Sequence, residues 1–162
     1  VQDLPYEDAS FDTVSSCFGF IFAPDHEATA REIARVCRER LGFTAWQPQP
    51  VLGELYGRFG LDTPEGRLPF LWGKSGHAEE LLGPFFDLEI EPHTWWLEGE
   101  NGEELWEFWT TAAPPFKAMV SKLDDEQVAA FREAYIEYCE GYREGDIVRV
   151  PRPYLLVLGT KR

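Results

Sequence analysis

From Phe11 to Gly19 the chain reads Phe-Asp-Thr-Val-Ser-Ser-Cys-Phe-Gly, β-branched and small residues that suit a strand buried on both faces of a parallel sheet. Ala23-Pro24-Asp25 then opens a helix with Asp25 as its cap, and the periodicity carries that helix from about His26 to Arg38. Along it Ala30, Ile33, Ala34 and Cys37 recur at i, i+3, i+4 and i+7 and face the sheet, while Glu27 and Arg31 form an i, i+4 pair on the solvent side. Leu41 to Trp46 is short, apolar and closed by Pro48 and Pro50, the pattern of a second buried strand. Strand, helix and strand in this order predict a βαβ unit with a right-handed crossover.

Beyond Pro50 the pattern changes. Val51 to Phe59 is helical in spite of Gly53 and Gly57, and His77 to Leu82 is a shorter helix stopped by Gly83-Pro84. Phe86 to Leu97 alternates and carries Trp95-Trp96, which predicts a long strand with Pro92 at an edge or bulge. Glu103 to Thr111 is an aromatic-rich helix with Leu105, Trp106 and Trp109 on one side. The most regular helix is Asp125 to Arg143, where Val128, Phe131, Tyr135, Tyr138 and Tyr142 repeat at spacings of three and four. Glu133, Glu137, Glu140 and Glu144 fill its other face. After Gly145-Asp146, Ile147 to Val150 and Tyr154 to Leu158 make one strand, or a pair split by Pro151-Arg152-Pro153. Late antiparallel strands joined through a helical insertion complete a mixed α/β sheet. With no repeat and no Gly/Ser linker, the expectation is a single domain over 1–162: a βαβ core at 1–46, an insertion and strand at 47–123, and a helix and closing strand at 124–162.

Charge narrows the function classes. The 162 residues hold 15 Lys+Arg against 29 Asp+Glu, a net charge of −14, which disfavours nucleic acid and anionic membrane surfaces as partners. Hydrophobic residues at 44%, with 15% aromatics, are enough apolar surface to offset the ordering entropy of a packed fold. No stretch has the length of a membrane-spanning helix, and the N-terminus lacks the basic start and apolar core of a signal peptide. Cys17, Cys37 and Cys139 are odd in number and widely spaced, unlike a disulfide framework or a metal site, so a reducing cytoplasm is expected. The chain opens at Val1 and runs straight into Leu4-Pro5, like the middle of a protein.

Leu4-Pro5-Tyr6-Glu7-Asp8-Ala9-Ser10-Phe11-Asp12-Thr13-Val14 resembles the segment leading into the fourth strand of class I S-adenosylmethionine-dependent methyltransferases of the small-molecule, quinone-biosynthesis-like type. Glu32 to Arg38 is similar to the helix before that family's fifth strand, Leu41 to Trp46 to the strand itself, and Tyr154 to Arg162 to its closing strand. The resemblance implies a Rossmann-like sheet and methyl transfer from S-adenosylmethionine to a small molecule. It covers the C-terminal portion of the family only. The Gly-rich cofactor loop has no counterpart, since Gly53, Gly57 and Gly60 have another spacing and follow no predicted strand. Arg38-Glu39-Arg40-Leu41 also stands where the family has a Pro-Gly-Gly turn. A truncated sheet implies impaired chemistry, weak or no cofactor binding by the chain alone, and a first strand left without its central neighbour. Such an exposed apolar edge predicts a homodimer, unless a preceding N-terminal segment supplies the missing strands.

By the same resemblance Leu4 packs on the adenine, and Cys17 and Phe18 line the methionine end of the cofactor. The rule that open α/β sheets bind ligands at the carboxyl ends of their strands points independently to that end. Phe22, Trp46, Trp72 and Trp95 are the candidate substrate pocket, with Trp96, Trp106 and Trp109 as further aromatics, although rings at helical spacing also suit a core. Methyl transfer needs proximity and in places a base, for which His26, His77 and His93 are candidates, and no catalytic residue is singled out. Two other classes stay open: a non-enzymatic dimeric small-molecule-binding module, and an esterase-like hydrolase using Ser15 or Ser16, for which no Gly-x-Ser-x-Gly elbow exists.

Overall fold

The computed structural model of the chain describes residues 1–62 and 64–162, and only the backbone of 64–67. In chain order the elements are β1 (Phe11–Cys17), a 3-10 turn (Phe20–Phe22), α1 (His26–Val36), β2 (Cys37–Trp46), α2 (Pro50–Arg58), α3 (Pro64–Leu71) and α4 (Ser75–Leu82). There follow β3 (Phe86–Gly99), α5 (Gly102–Ala112), α6 (Pro114–Val120), α7 (Asp125–Glu140), β4 (Arg143–Glu144) and β5 (Ile147–Lys161). The five-stranded sheet has the order β1-β2-β5-β3, with β4 paired to β5. β1 runs parallel to β2, from Phe11 opposite Cys37 to Cys17 opposite Thr44. β5 is antiparallel to β2, from Arg40 opposite Thr160 to Trp46 opposite Tyr154. This is the mixed α/β architecture with a Rossmann-like sheet that the sequence predicts.

Several elements depart from expectation: α7 stops at Glu140, short of Arg143, because Arg143–Glu144 pair with β5 as β4, and α3 and α6 have no predicted counterpart. β1 is an edge strand, so it is largely exposed rather than buried on both faces. α1 stops at Val36 and β2 starts at the next residue, because Cys37 and its successors pair with β1 instead of continuing the helix. β5 passes through Pro151-Arg152-Pro153 as one strand, one of the two alternatives the sequence leaves open. The long strand β3 forms the opposite edge, where Pro92, which has no N–H to donate, is tolerated.

The chain packs as two compact units, one of Val1–Gln49, Pro64–Thr94 and Pro153–Arg162, the other of Pro50–Thr63 and Trp95–Arg152. In the first, the Asp25 side chain accepts the Ala28 N–H at 2.8 Å and starts α1. Ala30, Ile33 and Ala34 then bury against the alternating Leu41, Phe43 and Ala45 of β2 and Leu155 and Val157 of β5. Glu27 and Arg31 pair at 3.6 Å on the outer face. Arg35 straps the N-terminal segment to α1: it donates to the carbonyls of Leu4 (3.1 Å) and Tyr6 (2.7 Å), to Asp8 (2.9 Å), and to both oxygens of Glu32. The hydrogen bonds from Arg35 pull the Glu32 carboxyl down to about 2. After α3, Gly73 lies against the end of β2, where a Cβ would collide with the Trp46 carbonyl and sit 2.7 Å from Gln47 Cα. Only glycine permits that approach.

The second unit is a helical cluster around Phe131, whose ring meets those of Tyr56, Phe59, Trp106, Phe116 and Tyr135 at centroid distances of 5.1–6.2 Å. α7 begins with a capping box in which Asp124 and Gln127 satisfy each other's backbone N–H groups. α5 is capped by Asn101, and Gly102 donates its N–H to Glu140 of α7 at 2.8 Å. Among the described residues no helix is long and apolar enough to cross a membrane.

Candidate functional site

At the carboxyl end of β1 the backbone turns sharply. Phe18 adopts φ +50°, a left-handed conformation that costs a side-chain-bearing residue about 1 kcal/mol or more. The turn is held by the Ser16 hydroxyl, which accepts N–H bonds from Gly19 (3.3 Å) and Phe20 (3.1 Å), and by the Phe18 N–H, which donates to the Thr44 hydroxyl at 3.2 Å. The consequence is a ring directed across the strand ends. Phe18 stacks on Trp46, the last residue of β2, with centroids 3.9 Å apart and planes 10° from parallel.

Tyr154, paired with Trp46 across the antiparallel ladder, presents its ring edge-on to both, at 5.6 Å from Phe18 and 6.2 Å from Trp46. His93 of β3 stacks on Tyr154 at 5.5 Å and 24°, and its Nε2 is 3.1 Å from Glu91 Oε2. Four chain segments thus build a half-exposed aromatic platform with a His-Glu pair at its margin. Cys17, exposed, lies beside it at the end of β1.

The core next to this platform carries a second polar feature. Trp72 is fully buried against Phe20, Phe43, His26 and His77, and His26 Nδ1 is 2.8 Å from His77 Nε2. Burial lowers the affinity of both imidazoles for protons; the neighbouring His77 adds to the effect at His26, and Asp25 opposes it. At His77, Glu80 opposes burial and Lys74 adds to it. His26 Nε2 and Trp72 Nε1 are buried with no hydrogen-bond partner.

The candidates from sequence therefore separate. Phe18 and Trp46 come together in the platform, Trp72 lies in the adjacent core, and Phe22 is half-exposed on the 3-10 turn. Leu4 is held against α1, its N–H donating to Glu32 at 2.9 Å. Trp95 belongs to the second unit and is exposed, as is Trp96, over which Arg149 lies at 4.4 Å. Trp106 is core, and Trp109 lies under the buried guanidinium of Arg152 at 4.8 Å. Tyr154 and Glu91 were not singled out by the sequence reading. Tyr154 carries a faint signal, as the aromatic that resumes the apolar run after Pro153, while Glu91 resembles any surface glutamate. The Ser16 hydroxyl is engaged in the turn, and no arrangement around it favours a hydrolase. Among the described residues no group of three or more His, Cys, Asp or Glu side chains is placed to hold a metal.

Known proteins bear on this geometry. A family model described as a methyltransferase domain matches residues 1–40, the stretch that forms the approach to β1, β1 itself, α1 and the start of β2. An uncharacterized protein of Mycobacterium tuberculosis is 39% identical over 88 residues, which is 51% of this chain and 32% of that protein. The match therefore spans about a third of the length of that relative. The fold is similar to a solved Bacillus halodurans putative methyltransferase, with TM-score 0.58 and 15% identity over 99% of this chain and 68% of that one. It is also similar to the YcgJ protein of Bacillus subtilis, with TM-score 0.57 and 18% identity over the same shares of each. A putative methyltransferase from an Anabaena variabilis antibiotic biosynthesis pathway gives TM-score 0.57 at 13% identity, covering 96% of this chain and 69% of that one. The likeness to class I S-adenosylmethionine-dependent methyltransferases read from residues 4–46 thus holds: the family model falls on the same stretch, and the fold is that of solved methyltransferase-like proteins.

Proposed function

We propose that this chain forms the acceptor side, and part of the cofactor side, of an S-adenosylmethionine-dependent methyltransferase acting on a small molecule. The observation that carries the reading is the aromatic platform at the carboxyl ends of β1 and β2, where open α/β sheets receive ligands. The residues present suit the methionine end of the cofactor, since Cys17 is exposed at the end of β1 and the left-handed Phe18 turns the backbone away from the sheet there. Cys17 and Phe18 would hold that end, and Leu4 would contact the adenine. When bound, S-adenosylmethionine supplies an electrophilic methyl group. The protein's part is to place a flat acceptor on Phe18 and Trp46, exclude water from one face of it and fix its orientation.

Isothermal titration of the chain with S-adenosylmethionine and S-adenosylhomocysteine tests the reading. Saturable binding tighter than about 1 mM supports a cofactor site assembled from this chain, and the absence of heat at that concentration overturns the part of the reading that gives this chain a cofactor side. Exposed Tyr6 and Phe11, whose rings meet edge-on at 4.9 Å, support self-association of two copies, which light scattering reads directly.

A further inference from the structure

We propose that the His26–His77 pair is an acid-sensitive latch under the aromatic platform, and that its protonation releases the stacking of Phe18 on Trp46. The inference goes beyond the methyltransferase reading and needs no ligand. Its basis is the way one buried indole, all within the first unit, ties the pair to both rings of the platform.

That indole is Trp72. Its fully buried ring meets His26 at 5.0 Å and His77 at 5.4 Å, and it also meets Phe20 at 5.0 Å. Two short paths lead from it to the platform. Phe20 belongs to the left-handed turn, where its N–H donates to the Ser16 hydroxyl at 3.1 Å, two residues after Phe18. Gly73, next to Trp72 in the chain, lies so close to the end of β2 that a Cβ would collide with the Trp46 carbonyl. Displacing Trp72 therefore disturbs the supports of Phe18 and Trp46 together.

Protonation displaces it. His26 is buried on α1, His77 is half-buried on α4, and His26 Nδ1 and His77 Nε2 share one hydrogen across 2.8 Å. When both imidazoles carry two protons, N–H faces N–H across that gap and the rings must part. His26 Nε2, buried without a partner, offers an added proton no acceptor. Burial disfavours the charged form of both rings; of the charged groups that face them, Lys74 adds to this at His77, while Asp25 opposes it at His26 and Glu80 at His77. The His77 main-chain N–H donates to the Lys74 carbonyl at 3.1 Å, so movement of its ring passes to the turn that holds Gly73 against Trp46. The latch is closed at neutral pH and opens in mild acid.

Heteronuclear NMR of the chain between about pH 7.5 and about pH 5 tests this. The imidazole resonances of His26 and His77 report protonation, and the Trp46 indole N–H and the Phe18 amide report the platform. All four are expected to change with one midpoint below the ordinary 6.5. Protection of the Phe18 amide, corrected for intrinsic exchange, should fall about tenfold or more over the same range. His93, stacked on Tyr154 and beside Glu91, is the other imidazole at the platform, so the titration is repeated in His93→Gln, where the coupled change should persist. In the double variant His26→Gln/His77→Gln the Trp46 and Phe18 signals should stay level with pH. Platform signals that hold still while His26 and His77 titrate, a change that disappears in His93→Gln, or one that survives in the folded double variant would each overturn the proposal. The wild-type and His93→Gln titrations decide it even where the double variant does not fold. No cofactor takes part, so failure of the cofactor titration leaves the latch standing, and failure of the latch leaves the methyltransferase reading standing.

Discussion

In the first unit the part-buried pair of His26 against His77 lies beside Trp72; in the second the buried Arg152, a permanent cation, lies over Trp109. The two cores solve the burial of polarity differently, and the solutions respond differently to acid. A histidine pair shares one proton across one hydrogen bond, so a second proton puts a desolvated charge beside a donor that has lost its acceptor. Arginine never titrates in this range, and the aromatic face offers its cation a partner at any pH. In the same unit burial pushes the Tyr56 hydroxyl and the Cys139 thiol up to about 12, so they too stay in one form around neutrality. The first unit, which carries the platform, thus holds the histidine pair that responds to mild acid.

The comparison breaks most visibly at its two packing centres. Phe131→Ala should cost about 3–5 kcal/mol in the second unit, read by urea unfolding, because five aromatic neighbours lose their common contact. Gly73→Ala should cost about 3 kcal/mol in the first, because the obstacle is the backbone of Trp46 and Gln47, and should also disturb the platform that Trp46 anchors. Equal loss of protection in both units on either substitution, followed by hydrogen exchange, would show that they unfold as one.

Acid sharpens the contrast. Because the folded pKa values of His26 and His77 lie below the ordinary 6.5, the unfolded chain binds more protons at these sites. Their contribution to stability is complete above pH 6.5 and is lost as the pH falls through that value toward the folded pKa values. Exchange protection of α1 and α4 should therefore drop between neutral pH and about pH 5.5, with α7 unchanged, and His77→Phe should abolish the difference. At the small end, Gly53→Ala in α2 should stabilise the second unit by about 0.5–1 kcal/mol, since a Cβ there meets nothing within 4 Å. A thiol reagent should modify Cys17 promptly and leave the buried Cys37 and Cys139 untouched until the chain unfolds.

Most of the elements were legible along the chain. The start of α1 at His26 follows from its Asp25 cap, α5 lies within a residue of its predicted ends, and α7 follows from its aromatic repeat. The errors fall where a distant partner outvotes a local pattern. Cys37 continues the helical periodicity of α1, yet its backbone pairs with Phe11 and its side chain reaches the core from β2. Neither α3 nor α6 was anticipated, since Pro69 lies inside one and Pro114-Pro115 opens the other, and both read as breaks in sequence.

The site was half legible. Phe18 could be named through the family resemblance and Trp46 as one of several aromatics, and three histidines could be marked as possible bases. Which histidine stands at the platform is a non-local fact, since His93 lies 47 residues after Trp46 and 61 before Tyr154 in the numbering and meets the site only through the sheet order β1-β2-β5-β3. Periodicity and caps are written in neighbours three or four positions apart, so the sequence alone determined α1, α5, α7, most of the longer strands and the likeness to methyltransferases. The stacking of Phe18 on Trp46, the pairing of His26 with His77 and the placement of His93 beside Glu91 and Tyr154 come from sheet register and a left-handed turn. Only the tertiary structure decided them, because register is set by the burial of whole faces rather than by any residue's own preference.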